Sequence, residues 1–172
     1  MTAGRLLALA LVLAGLLAGV GMWYAQTRAY YAPVALEGLP MVLADGTAIT
    51  LRPTLAQAID SDSSPLRFRA CLTLTGDIAA RLAEQAAPAP RATPLIAPDW
   101  FACFDAARLT ADLAAGRARA LLVEANFRFG FDRVMALYPD GRGYVWHQTN
   151  ACGTAHFDGR PLPAGCPAPP QR

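Results

Sequence analysis

The sequence predicts an α+β protein: one N-terminal transmembrane helix, then one compact domain with an antiparallel sheet and two short helices. Three features predict it. An unbroken apolar run opens the chain, the remainder mixes stretches of period two with stretches of helical period, and four cysteines all lie in that remainder. An apolar run with no polar stripe is a span rather than a core helix. Strand and helix patterns without regular alternation give an α+β layer structure. About 140 residues beyond the run suffice for one hydrophobic core and not comfortably for two.

After Arg5 comes "LLALALVLAGLLAGVGMWYA", from Leu6 to Ala25, without a charged residue. At 1.5 Å per residue, about 20 residues cover roughly 30 Å, the hydrocarbon thickness of a bilayer. The lipid bilayer is therefore the first expected partner. Met22, Trp23 and Tyr24 stand where a cleavable signal would carry small residues, and they suit a membrane interface. The segment reads as an uncleaved signal anchor. No cysteine follows Leu17-Ala18-Gly19, so lipidation is not expected. Arg5 with the amino terminus, against Arg28 on the far side, places the N-terminus in the cytoplasm. In a bacterium with two membranes the address is the inner membrane, with the domain in the periplasm. The expected organisation is an anchor over 1–29, a linker over 30–40, a periplasmic domain over 41–166 with a Pro-rich insertion at 88–98, and a flexible tail over 167–172.

Within the domain, "MVLADGTAITL" (41–51) carries Asp-Gly between apolar and β-branched residues, a hairpin signal. Residues 54–59 are expected as one or two helical turns before the polar run from Asp60 to Pro65 ends them. "LRFRACLTL" (66–74) alternates, with Leu66, Phe68, Ala70, Leu72 and Leu74 on the inward face and Arg67, Arg69, Cys71 and Thr73 outward. Residues 76–87 form a short helix that ends at the prolines of the insertion. A second helix starts near Ala106 and stops at Gly116. From 117 to 148, strands separated near 126–130 and by the turn Pro139-Asp140-Gly141-Arg142 form a meander, for five to seven strands in total.

Four cysteines in an oxidising compartment read as two disulfides among three possible pairings. Cys71 with Cys103 and Cys152 with Cys166 is the favoured set. Their loops of about 33 and 15 residues correspond, in the chain-entropy model, to roughly 3.7 and 3 kcal/mol.

The stretch "HQTNACGTAHFDGRPLPAGC" (147–166) holds both histidines and two of the cysteines. His147, Cys152, His156 and Cys166 offer donors suited to zinc or copper, which gives a metal-handling protein as the alternative function. Their spacing matches no CxxC-based site, so the favoured reading is a disulfide-closed loop with His147 on a strand face and His156 in a loop. No CxxCH for haem, no CxxC for thiol exchange and no G-x-S-x-G elbow occurs. Neither catalytic residues nor a cofactor are expected. Ser61, Ser63 and Ser64 read as turn formers. Arginines interleaved with aromatics, Arg67, Arg69, Arg128 and Arg133, together with Trp146, are the candidate ligand- or partner-binding residues. The bland reading is a polar strand face neutralised by Asp60, Asp62, Asp105 or Asp132. A net charge of +2 gives no basis for nucleic-acid binding.

At residues 62–72, which include "SPLRFRACL", and at "WFACFDA", "DRVMALYPDGRGYVWHQTNACG" and "FDGRPLPAGCP", the chain resembles an uncharacterised family of small single-pass membrane proteins from alphaproteobacteria, some labelled histidine kinase. The resemblance implies a shared architecture, with all four cysteines inside the matching segments, and carries no catalytic residues. The kinase label has no support in a chain this short, which lacks a glycine-rich nucleotide pocket. The expected function is a non-catalytic binding, accessory or assembly module of the cell envelope with an envelope protein as partner.

Overall fold

The computed structural model describes residues 2–89 and 91–170 and divides the chain after Tyr31. The first unit is α1 (Ala3–Tyr24), continued by a π-helical turn over Ala25–Ala29. None of α1 is buried within the structure, and the helix is long and apolar enough to cross a membrane.

The second unit contains β1 (Ala32–Val34), β2 (Leu39–Val42), β3 (Ala48–Leu51), β4 (Leu55–Asp60), β5 (Arg69–Thr73), α2 (Gly76–Gln85), α3 (Ala106–Ala114), β6 (Arg119–Arg128), β7 (Phe131–Leu137), β8 (Arg142–Thr149) and α4 (Ala151–Phe157). Six strands form one antiparallel sheet in the order β1-β4-β5-β8-β7-β6, and β2 pairs with β3 as a separate hairpin. The segment expected as a linker, 30–40, thus supplies β1 and the start of β2.

Both faces of the large sheet are covered, and the strand alternation assigns each residue to one of them. On one face Ala70, Leu72, Leu121, Val123, Met135 and Val145 meet Leu39, Met41 and Leu51 of the hairpin and Ala79 and Leu82 of α2. The opposite face, with Val134, Ala136 and Trp146, lies under the 91–105 segment and α3, which contribute Phe101, Phe104 and Leu109. Cys71 of β5 is joined to Cys103 across that second layer, Sγ to Sγ 2.18 Å.

Three local expectations are corrected. Residues 54–59, expected as helical turns, are β4, whose Leu55–Ile59 pair with β5. Six residues before a polar turn cannot repay helix nucleation, whereas a neighbouring strand satisfies their backbone directly. Residues 151–157, expected as loop, are α4: the Asn150 side chain accepts from the Gly153 N–H at 3.0 Å and caps a helix whose internal glycine hid it. Among the described residues the domain therefore has three helices rather than two, and the two sheets together hold eight strands. Finally, Arg69, expected to face outward, is only 3% exposed, because the outer face of its strand is roofed by the insertion. Pro90, within that insertion, and residues 171–172 of the expected tail lie outside the described residues.

Candidate functional site

The arginine and aromatic residues singled out from the sequence separate onto the two sheet faces. His147 and Trp146 are consecutive on β8 and so point oppositely. Arg133 sits opposite His147 in the β7–β8 register, and Arg69 sits opposite Trp146 in the β5–β8 register.

On the hairpin-covered face, the His147 ring lies between Phe68 and Phe127, with centroids 4.7 and 3.9 Å away. Its Nε2 accepts from Arg133 Nε at 3.0 Å, which leaves Nδ1 protonated to donate to the Pro65 carbonyl at 2.7 Å. Both ring nitrogens are engaged, and the neutral tautomer is fixed. Burial pushes the imidazole down to about 3, with the positive charges of Arg133, Arg69 and Arg128 adding to the effect. Arg133 in turn pairs with Glu124 at 2.9 Å and lies 5.5 and 5.1 Å from the Phe68 and Phe127 ring centres. Its own pKa is lowered by burial. This assembly locks β5, β6, β7 and β8 together.

On the other face Arg69 holds the insertion. Its guanidinium donates to the Leu95 and Ile96 carbonyls at 2.9 and 3.1 Å, and to those of Leu66 and Phe68 at 2.7 and 2.6 Å. Trp146 is fully buried, and its indole N–H donates to Gln148 at 3.2 Å. Arg67 is half-buried and Arg128 is exposed at the end of β6. The five candidates therefore do not converge on one surface: Arg69, Arg133 and Trp146 act within the fold.

A second set of polar residues, of which only Asp132 was named from the sequence, and there as a neutralising charge, surrounds an open cleft of about 720 Å³. Its walls are the insertion at Pro88 and Arg91, the β6–β8 ends at Ala125 and Gln148, and the C-terminal loop at Pro161 and Pro163. Asn150 Nδ2 donates to Asn126 Oδ1 at 2.8 Å and to Asp132 Oδ1 at 2.7 Å, while Asp132 also accepts from the Asn126 N–H at 2.9 Å. Asn126 sits at φ +49°, a left-handed turn position that asparagine tolerates. Gln148 bridges to the insertion, accepting from Thr93 N–H and donating to the Arg91 carbonyl at 2.9 and 3.0 Å. These amides fix the cleft's shape in advance and satisfy one another. Asn126 and Asn150 each stand where a turn or cap residue belongs, which is the signal the sequence offered for them.

Gly130 and Gly153 bring α4 against the β6–β7 turn. A Cβ on Gly130 would lie 2.6 Å from Gly153 Cα. Cys152, on this helix, is joined to Cys166 at 2.08 Å, closing the loop that forms one cleft wall.

The candidate metal donors His147, Cys152, His156 and Cys166 are not assembled. Both cysteines are bonded to each other, and His147 is held inside the core with both nitrogens committed. His156 is exposed on α4, edge-on to Phe129 at 5.1 Å. Among the described residues no group of three or more potential ligands is placed to hold a metal ion. A further perturbed pair, Asp112 and Tyr138, is structural in setting. The Tyr138 hydroxyl donates to Asp112, which also accepts from Arg117 Nε at 2.7 Å, fastening α3 to β7. The Tyr138 hydrogen bond, helped by Arg117, holds the Asp112 carboxyl below its usual range, and burial with the Asp112 charge pushes Tyr138 up to about 12.

A family model described as a family of unknown function (DUF6446) matches residues 40–167. No curated protein and no solved structure matches the chain.

Proposed function

The chain belongs to this family of unknown function, and from that premise we propose that it is a membrane-anchored accessory module of the bacterial envelope that binds a partner through the cleft beside α4. The observation that carries the reading is the cleft itself. It is a concave, preformed surface of mixed polarity, within the size range of ligand sites. Its wall-forming segments come from distant parts of the sequence and are held by Gln148, the Asn126–Asp132–Asn150 network and the Cys152–Cys166 bond. Among its described lining residues Asp132 is the carboxylate and no histidine is present, a composition that favours recognition over general acid–base chemistry.

Anchoring is supported by one N-terminal helix long and apolar enough to cross a membrane. Trp23 and Tyr24 at its far end suit the interface. In this reading Arg5 stays on the cytoplasmic side and the domain lies in the periplasm of a two-membrane bacterium. Two disulfide-bonded cysteine pairs support that address, since such bonds persist in oxidising compartments.

The test is site-specific photo-crosslinking in native membranes from Ala125, which is exposed and lines the cleft, with exposed Thr47 at the β2–β3 turn as control. A discrete adduct from position 125 that position 47 does not give, and that is lost when exposed Thr154, a second lining residue, is changed to Arg, supports the reading. No adduct from 125 above the control overturns it.

A further inference from the structure

We infer that the Cys71–Cys103 bond is a thiol-exchange site, at which a dithiol reductant attacks Cys103 and opens the bond reversibly while Cys152–Cys166 stays closed. The inference rests on neither the membrane anchor nor the binding role of the cleft.

The two disulfides differ in access. Cys103 is exposed, whereas Cys71, Cys152 and Cys166 are half-buried. Cys71 and Cys103 together line an open groove of about 220 Å³. Two rows of residues in register across β4, β5 and β8 form its floor: Leu55, Thr73 and Arg142, then Gln57, Cys71 and Tyr144. β1 pairs only with Ala58–Asp60 of β4, so the groove is open along Leu55, Ala56 and Gln57, and Leu55 is 73% exposed. An attacking thiolate needs access to one sulfur, and exposed disulfides are the labile ones.

The exchange runs in two displacements. A thiolate of the reductant bonds to Cys103 Sγ, the bond to Cys71 breaks, and its electron pair leaves on Cys71 as a thiolate. The reductant's second thiol, once deprotonated, attacks the mixed disulfide and releases Cys103 as a thiolate. Both thiolates take up the protons that the reductant gave up, so the dithiol is oxidised to a disulfide as the Cys71–Cys103 bond is reduced to two thiols. The second, tethered thiol makes a dithiol the class of reductant. Arg142 is the one charged side chain among the described lining residues, and a cation beside the leaving sulfur favours its thiolate. Asp140, paired with Arg142 at 2.8 Å, offsets part of that charge.

The bond is the covalent hold on the insertion, and the other holds do not depend on it. Arg69 still binds the Leu95 and Ile96 carbonyls, Gln148 still bridges to Thr93 and Arg91, and Phe101 and Phe104 remain packed in the core. Reduction therefore loosens the 91–105 segment without unpairing β5 to β8. Because Arg91 and Thr93 form part of the cleft wall, the redox state of this bond sets how firmly that wall is held.

The test keeps the full chain in mild detergent without denaturant and adds dithiothreitol. Free thiols are alkylated at intervals with one reagent, and the remaining cysteines with a second reagent after complete reduction, before peptide mass mapping. Cys71 and Cys103 should react with the first reagent severalfold faster than Cys152 and Cys166. Equal rates, Cys152–Cys166 opening first, or no opening of either bond until denaturant is added overturns the inference. A parallel sample with glutathione, quenched by rapid alkylation, identifies the sulfur attacked: an adduct on Cys103 supports the assignment and one on Cys71 overturns it. After selective reduction, hydrogen exchange should rise in 91–105 and stay unchanged in β5 to β8. A rise throughout the domain means that the bond opens only with the whole fold, and overturns the proposal.

Discussion

Replacing His147 by Phe removes a buried titration and should change how stability responds to pH. In the folded domain burial pushes His147 down to about 3, against an ordinary 6.5. Between those values the unfolded chain binds a proton that the folded chain refuses, so stability is complete above about pH 6.5 and falls as the pH drops toward 3. Each unit in that window corresponds to about 1.4 kcal/mol, so going from pH 7.5 to pH 5 should remove about 2 kcal/mol through this residue. The ring is 3% exposed, which leaves little solvent to screen the effect. In His147→Phe the ring still fits between Phe68 and Phe127, while the Arg133 and Pro65 groups lose their partner at a pH-independent cost of about 1 to 3 kcal/mol. The measurement is urea unfolding in mild detergent, followed by tryptophan emission, to which the buried Trp146 contributes, at both pH values. Wild type should lose about 2 kcal/mol more than the variant on acidification, and carboxylates common to both cancel in the difference. Identical pH dependence in the two proteins, or a folded-state His147 that titrates near 6.5 by NMR, refutes the reasoning.

Gly153→Ala should destabilise the domain by about 2 kcal/mol or more and raise hydrogen exchange in α4, since the new Cβ would lie 2.8 Å from Gly130 Cα and against the Gly130 carbonyl, both backbone; unchanged melting would show that α4 is not held by this contact. Joint replacement of Cys152 and Cys166 by Ser should cost about 3 kcal/mol by loop-closure entropy, read as a lower urea midpoint. Non-reducing peptide mapping after thiol alkylation should recover 71 linked to 103 and 152 linked to 166; alkylated cysteines at 152 and 166, with zinc or copper in the same sample, would return the metal reading to the front.

Periodicity and punctuation determined much of this molecule from the sequence alone. The apolar run of α1 carries its signal in composition, which needs no tertiary partner. The Asp-Gly hairpin, the capped α3 and the 119–149 meander are local in the same sense: turn residues and short-range pairing define them. Tertiary structure decided the rest. Residues 55–60 became a strand because β5 lay beside them, and 151–157 became a helix because Asn150 capped it and Gly130 and Gly153 allowed close approach. Which face an arginine occupies followed from what covers each face: the insertion turned Arg69 from an expected surface group into a clamp, and Phe68 and Phe127 enclosed His147 beside Arg133. The cleft could not be read in advance at all, because Arg91, Asn126, Gln148 and Pro161 are remote in sequence and only the sheet register and the Cys152–Cys166 closure bring them to one surface. Short-range patterns specify elements; which side chains end up facing one another is set by long-range pairing, whose information is spread over the whole chain.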